Sequence, residues 1–147
     1  ANLDEIKLRS GLILESSVFT KRYHPYGFLN EGALRNASKV GTLAIARAGS
    51  GSIFELAAWG LPAILIPLPH AAQDHQRENA YGYSRSGAGV VLEEENLTPH
   101  ILLSEITKIL SNSPRRAEMS RAAQTFSKVD AADRIAEEII KLALKHS

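Results

Sequence analysis

Short apolar runs alternate with glycine and serine most clearly between Thr42 and Ala80. Thr42 to Ala46 is long enough for a buried strand and too short for a helix. Arg47-Ala48-Gly49-Ser50-Gly51-Ser52 then breaks the apolar pattern just before a helical one begins. That helix, from about Ser52 to Trp59, stops at Gly60, a residue suited to a left-handed cap, and Pro62 prevents continuation. Ala63 to Ile66 reads as a second buried strand. A strand, a helix and a strand in that order imply a parallel sheet.

The flanking segments are less uniform. Residues 1 to 16 carry Leu3, Ile6, Leu8 and Leu12 to Leu14 without deciding between helix and strand. Thr20 to His24 alternates polar and larger groups and reads as a strand ending at Pro25. A loop punctuated by Pro25, Gly27 and Asn30 follows, then a brief helix from Glu31 to Lys39 capped by Asn30. Beyond the centre, His75 to Ser86 is helical in composition and ends at Gly87 and Gly89. Val90 to Leu92 makes a short strand closed by Glu93-Glu94-Glu95. Thr98 and Pro99 open a helix whose apolar face runs from Ile101 to Leu110, and Ser113-Pro114 opens another bearing Met119, Ala123 and Phe126. From Val129 a last helix places Ile135, Ile139 and Leu142 on one side. There is no internal repeat, and the pattern predicts one α/β domain over residues 1–147.

Composition narrows the classes. Apolar residues make up 44% of the 147 positions and charged residues 22%, which argues for a globular fold. The net charge is +1 with no basic stripe, so nothing points to nucleic acid. Cysteine is absent, which removes disulfides and thiolate chemistry. The longest apolar run, around Leu61 to Leu68, is about half of what a membrane span needs. The chain opens on Ala1, has Met119 as its single methionine and shows no signal-peptide pattern at its start. We therefore expect a fragment, or a separately made half, of something larger.

The candidate chemistry lies in the glycine-serine turn. A helix fed by such a turn leaves its first N–H groups unpaired at the positive end of its dipole, which is a seat for phosphate. Ligands of open parallel sheets bind outside the carboxyl ends of the strands. Here those ends carry Ser50 to Ser52 and the loop from Pro67 to Gln76. Local pattern alone leaves alternatives open: a serine-capped turn with no ligand, and Glu55 as a carboxylate that merely complements the helix dipole. His75 and Gln76 could be solvated, Phe28 and Tyr26 loop packing, Trp59 packing, and Glu93 to Glu95 a solvated strand end. Arg47 either touches phosphate or braces the turn by pairing with a carboxylate. His70 and His75 lack a third ligand at sensible spacing, so no metal site is expected.

Arg47 to Ser52, Glu55-Leu56-Ala57-Ala58, Gly60-Leu61-Pro62-Ala63, Ile66-Pro67, Pro69-His70, Asp74-His75-Gln76 and Asn79-Ala80 together resemble the donor-binding half of MurG-type UDP-N-acetylglucosamine transferases. Ser86 to Val91, Leu97-Thr98 and the weaker Tyr26-Gly27-Phe28-Leu29 follow the same order, so the likeness covers about residues 20 to 145. The resemblance implies the C-terminal half of a two-domain GT-B enzyme: a Rossmann-like parallel sheet with helices on both faces, here without its first strand–helix unit and without the N-terminal acceptor domain.

It also implies roles. Ser50, Gly51 and Ser52 would hold a diphosphate, with Arg47 in the same donor set, and Glu55 would take the ribose hydroxyls. His75 and Gln76 would contact the sugar and Asn79 would support them. Leu29 would meet the uracil through its backbone, with Phe28 packing nearby. The activity implied is inverting transfer of N-acetylglucosamine from UDP to a lipid-linked muramyl-peptide acceptor, in the cytoplasm at the inner face of the cell membrane. No cofactor or metal is expected, and neither is a general base within these residues. Exposed apolar surface at the truncated face is expected to drive self-association. The alternatives are a UDP-sugar 2-epimerase of related fold, disfavoured because residues 70 to 76 lack an arginine-rich segment, and the donor-half subunit of a split glycosyltransferase.

Overall fold

Three of the short apolar runs become strands in the computed structural model, which describes residues 2–14, 20–69, 74–127 and 131–145. They are β1 (Ala44–Ala46), β2 (Ala63–Leu65) and β3 (Gly89–Val91), all parallel and in that spatial order. Ala44 stands beside Ala63 and Ala63 beside Gly89, so the three carboxyl ends finish at one level. Helix α3 (Ser50–Trp59) joins β1 to β2, and α4 (His75–Arg85) joins β2 to β3. After β3 come a single 3₁₀ turn (Glu94–Asn96), α5 (Pro99–Leu110), α6 (Ser113–Phe126) and α7 (Ala131–Lys145).

Alternation along the strands divides the core into two faces. On β2, Ala63 and Leu65 join a cluster with Ile53, Leu56 and Ala57 of α3 and Ala80 and Tyr83 of α4. Ile64, between them, joins Ile109 of α5 and Met119 of α6 on the other side. All three β2 residues are fully buried, as expected of a parallel strand covered by helices on both faces. The α/β architecture expected from the sequence is therefore the one observed.

Two glycines permit close approach. Gly60 ends α3 at φ 64°, and a Cβ there would come within 2.8 Å of the Gln124 side chain on α6. Gly89 opens β3, where a Cβ would stand 2.9 Å from the Tyr83 ring. The missing side chain lets that ring lie against the sheet, with its hydroxyl donating to the Leu61 carbonyl at 3.3 Å. Burial pushes the Tyr83 hydroxyl pKa up to about 12. Phe126 of α6 meets the same ring edge-on, centroids 5.2 Å apart. Trp59, expected to pack, is half-buried against this cluster.

The chain divides into two compact units, residues 1–39 and 40–147. The sheet and its helices belong to the second. The first contains α1 (Leu3–Leu14), which settles the opening segment as helical, and most of α2 (Glu31–Val40). Asn30 caps α2 as expected, its Oδ1 accepting from the Ala33 N–H at 2.9 Å. The strand expected over Thr20 to His24 is corrected: Thr20–Arg22 forms one 3₁₀ turn, and no strand follows among the described residues of this unit. Five residues of weak alternation before a proline carry no pairing partner, and a strand needs one. The expected start of the last helix at Val129 lies outside the described residues. Among the described residues no helix is long and apolar enough to cross a membrane.

Candidate functional site

Strand β1 ends, Ala48 is buried, and Gly49 turns the chain in extended conformation into α3. The first helical bond runs from the Ile53 N–H to the Gly49 carbonyl at 3.0 Å. The N–H groups of Ser50, Gly51 and Ser52 therefore precede the intrahelical ladder. Among the described residues no side chain caps them, and the first turn of α3 carries no acidic residue. Ser50 and Gly51 are exposed and Ser52 is half-buried. Among the described residues, a Cβ placed on Gly49 or Gly51 would meet nothing within 4 Å, so neither position of the turn is crowded by them. Among the described residues no serine side chain caps the turn. Glu55, in the second turn of the helix, is also exposed.

Helix α4 ties this turn to the next strand end. Asn79 donates from Nδ2 to the Ala48 carbonyl at 3.2 Å. Gln76, three residues earlier, accepts at Oε1 from the Leu68 N–H at 3.0 Å. The loops after β1 and β2 are thus fixed to one helix face. His75 is the exposed first residue of α4, behind Asp74 in the left-handed region at φ 58°. His70 lies outside the described residues.

Arg47 resolves toward the bracing alternative. Its Nη1 donates to the carbonyls of Ile66 at 3.2 Å and Pro67 at 3.4 Å, and pairs with the Glu94 carboxylate. Of the acidic triplet expected to be a solvated strand end, Glu94 and Glu95 are exposed as expected, and Glu93 is corrected. Glu93 is half-buried, and its Oε1 accepts from Arg77 Nε at 3.0 Å and from the Tyr81 hydroxyl at 2.8 Å. The Glu93 charge raises the Arg77 guanidinium pKa, and the hydrogen bond to Glu93 raises that of the Tyr81 hydroxyl. Beside them opens a cleft of about 300 Å³ lined by Pro67, Leu68, Pro69, Asp74, Arg77 and the three glutamates. Glu93, Glu94, Arg77 and Tyr81 were not singled out as site residues from sequence. The available signal was two carboxylates directly after a strand end, with an arginine and a tyrosine four residues apart on the preceding helix.

The structure brings Arg47, Ser50, Gly51, Ser52, Gln76 and Asn79 to the carboxyl ends of β1 and β2, with Glu55 and His75 on the two helices that start there. Phe28 and Leu29 lie in the 1–39 unit, Phe28 85% exposed and Leu29 half-buried. No group of three His, Asp or Glu residues among those described is placed to hold a metal ion.

Comparison with known proteins adds names to this geometry. Residues 14–135 match the glycosyltransferase family 28 C-terminal domain. A protein of Syntrophotalea carbinolica named UDP-N-acetylglucosamine--N-acetylmuramyl-(pentapeptide) pyrophosphoryl-undecaprenol N-acetylglucosamine transferase is 53% identical over 93 residues, 63% of this chain and 26% of that protein. Proteins of the same name from Acetivibrio thermocellus and Geobacter sulfurreducens are 40% identical over 113 residues and 33% identical over 126 residues. These alignments cover 77% and 82% of the chain, but only 30% and 35% of the relatives. The crystal structure of Acinetobacter baumannii MurG superposes with a TM-score of 0.78 at 26% identity, covering 92% of this chain and 40% of that one. The chain thus spans about a quarter to a third of the length of these three relatives.

Proposed function

The chain belongs to the glycosyltransferase family 28 C-terminal domain family, and from that premise we propose that it forms the UDP-N-acetylglucosamine site of a hexosyltransferase. The observation that carries the proposal is the amino end of α3, where amides without a partner among the described residues coincide with a positive dipole and two uncrowded glycines.

The donor presents a diphosphate, a cis-diol and a polyhydroxylated ring. The amides of Ser50, Gly51 and Ser52, with a serine hydroxyl, bind the diphosphate. Glu55 accepts two hydrogen bonds from the ribose, far enough along the helix not to repel phosphate. Gln76 has spent its oxygen on the Leu68 amide and keeps its NH₂ for a sugar hydroxyl. His75 shares that contact, and Asn79 holds the helix that presents both to the turn. Arg47 adds positive charge while locking the strand ends. Bond cleavage loads negative charge onto the departing UDP, so the α3 terminus stabilises the transition state more than the bound donor.

The rest of the enzyme is part of the same proposal. Residues 1–147 act as one donor-binding domain, and the lipid-linked muramyl-peptide acceptor and the base that deprotonates it come from outside these residues. A nucleotide sugar and a lipid-linked acceptor together place the reaction in the cytoplasm at the inner membrane face. No metal or cofactor takes part. Self-association is expected as well, because Ile45 on β1, at the edge of the described sheet, is 47% exposed. A clean monomer in light scattering would count against it.

The test is a titration of the chain with UDP-N-acetylglucosamine, followed by calorimetry and amide NMR shifts. Shifts should centre on Ser50 to Ser52, Glu55 and Gln76. Their absence at millimolar donor would refute the site.

A further inference from the structure

We propose that Glu93 and Glu94, the carboxylates that follow β3, are positioning residues of the donor site. Glu93 sets the orientation of α4, and Glu94, through Arg47, sets the strand ends that present the phosphate turn. The inference rests on the donor-site reading above and adds to it two residues that act through Arg77, Tyr81 and Arg47.

The geometry separates the two tasks. On α4, Gln76 and Asn79 face the loops after β2 and β1, while Arg77 and Tyr81 share a face about 150° away round the helix. Glu93 holds that second face with one oxygen, taking both the guanidinium and the phenol. A helix secured along one side can still roll about its axis. A roll of about 20° would displace a group 5 Å from the axis by roughly 2 Å, enough to spoil a sugar contact. The Glu93 clasp opposes that roll. Arg47, by contrast, leaves β1, bonds the carbonyls that end β2, and finishes on Glu94 beyond β3. One side chain therefore links the exits of all three strands, including the exit that leads into Gly49 and α3.

Neither pair is a major source of stability. The side chains are 53% and 24% exposed for Arg77 and Glu93, and 48% and 40% for Arg47 and Glu94, and ion pairs so open to water add little to folding. Their effect should be read in binding. The raised pKa values of Tyr81 and Arg77 agree with a formed clasp.

The experiment measures affinity for UDP and for UDP-N-acetylglucosamine with the whole chain and with Glu93→Gln, Tyr81→Phe, Glu94→Gln and the remote control Glu138→Gln. Glu93→Gln should weaken the nucleotide sugar about threefold and leave UDP unchanged, so that the ratio of the two affinities falls. Tyr81→Phe, which keeps the ring and reads the same clasp from α4, should lower that ratio in the same direction. Glu94→Gln should weaken both ligands about threefold with the ratio preserved. The control should match the parent, and thermal midpoints should stay together. With the parent binding normally, an unchanged ratio in both Glu93→Gln and Tyr81→Phe overturns the Glu93 role, and unchanged affinities for both ligands in Glu94→Gln overturn the Glu94 role. A parent that binds neither ligand overturns the donor site, and this role with it.

Discussion

Helices α3 and α5 both begin after a strand of the same sheet, yet their first turns are treated in opposite ways. Thr98 caps α5, its Oγ1 accepting from the Ile101 N–H at 3.2 Å, and Asn112 caps α6 by accepting from the Arg115 N–H at 3.0 Å. Both helices also carry proline in the first turn, which removes a donor that would need a partner. Helix α3 has glycine at the cap, no side-chain acceptor and no acidic residue in its first turn. Of α1 to α6 it is the one whose start has neither a capping side chain nor a carboxylate. A side-chain cap is worth about 1 kcal/mol. The chain takes that stabilisation where helices only support the core and forgoes it where the strand ends open to solvent. An unanswered helix start is thus informative when its neighbours in the same fold are answered.

The sharpest way to break this contrast is to close the open end. Gly49 is extended, at φ −63° and ψ 146°, and a Cβ there meets nothing, so Gly49→Asp is sterically free. Its carboxylate would take the amides reserved for phosphate and repel the ligand. Donor affinity should fall about a hundredfold, the scale of a lost charge-assisted hydrogen bond. Stability should rise by a few tenths of a kcal/mol, as glycine gives way to a better cap. Calorimetry against UDP-N-acetylglucosamine and thermal unfolding would read the two effects, which should run in opposite directions. If binding survives, the α3 amides do not hold the diphosphate.

Next in size is Glu55→Ala, which removes the acceptor for the ribose diol and should cost about tenfold in donor affinity with little change in stability, Glu55 being exposed. Titration with the 2′-deoxy donor gives the control, since the variant should no longer distinguish it from the normal nucleotide. The capped helices should respond in the converse manner. Thr98→Ala and Asn112→Ala should each lower unfolding free energy by about 1 kcal/mol in urea titrations and leave donor affinity alone. A binding loss in either variant would show that stability and the site are not separable in the way the two kinds of helix start suggest.

How much of this could be read from the sequence depends on how local each cause is. The strands at β1 and β2, the stop at Gly60 and the caps Asn30 and Thr98 were legible because each is decided within about five residues: an apolar run, a left-handed glycine, a polar side chain three residues before the amide it serves. Of the candidate site, the glycine-serine turn and the α4 residues are legible as candidates because their order along the chain resembles that of a family. Arg47 is ambiguous in the sequence because its acceptors are remote: Ile66 and Pro67 are 19 and 20 residues away and Glu94 is 47. Glu93 reads as a solvated strand end in the sequence for the same reason: its partners Arg77 and Tyr81 become neighbours only after α4 has folded back along β3. Thr20 to His24 failed differently. Strand alternation is evidence only where another strand lies alongside, and pattern alone cannot supply it.

The smallest expected effect concerns α4, the intermediate case between the two kinds of helix start. Its cap residue Asp74 makes no side-chain cap hydrogen bond but brings a negative charge to the positive end of the dipole, with Glu78 in the first turn. Asp74 also occupies the left-handed region, which asparagine tolerates as well. Asp74→Asn therefore keeps the backbone and removes only the charge. It should lower stability by about 0.5 kcal/mol at low ionic strength, and the loss should fade toward 1 M salt as screening shortens to about 3 Å. Urea unfolding at two salt concentrations measures both numbers. A loss that persists at high salt would mean that Asp74 acts through a hydrogen bond, which would place α4 with the capped helices. A loss that vanishes leaves α3 as the start answered by neither bond nor charge, the condition under which an incoming diphosphate gains most.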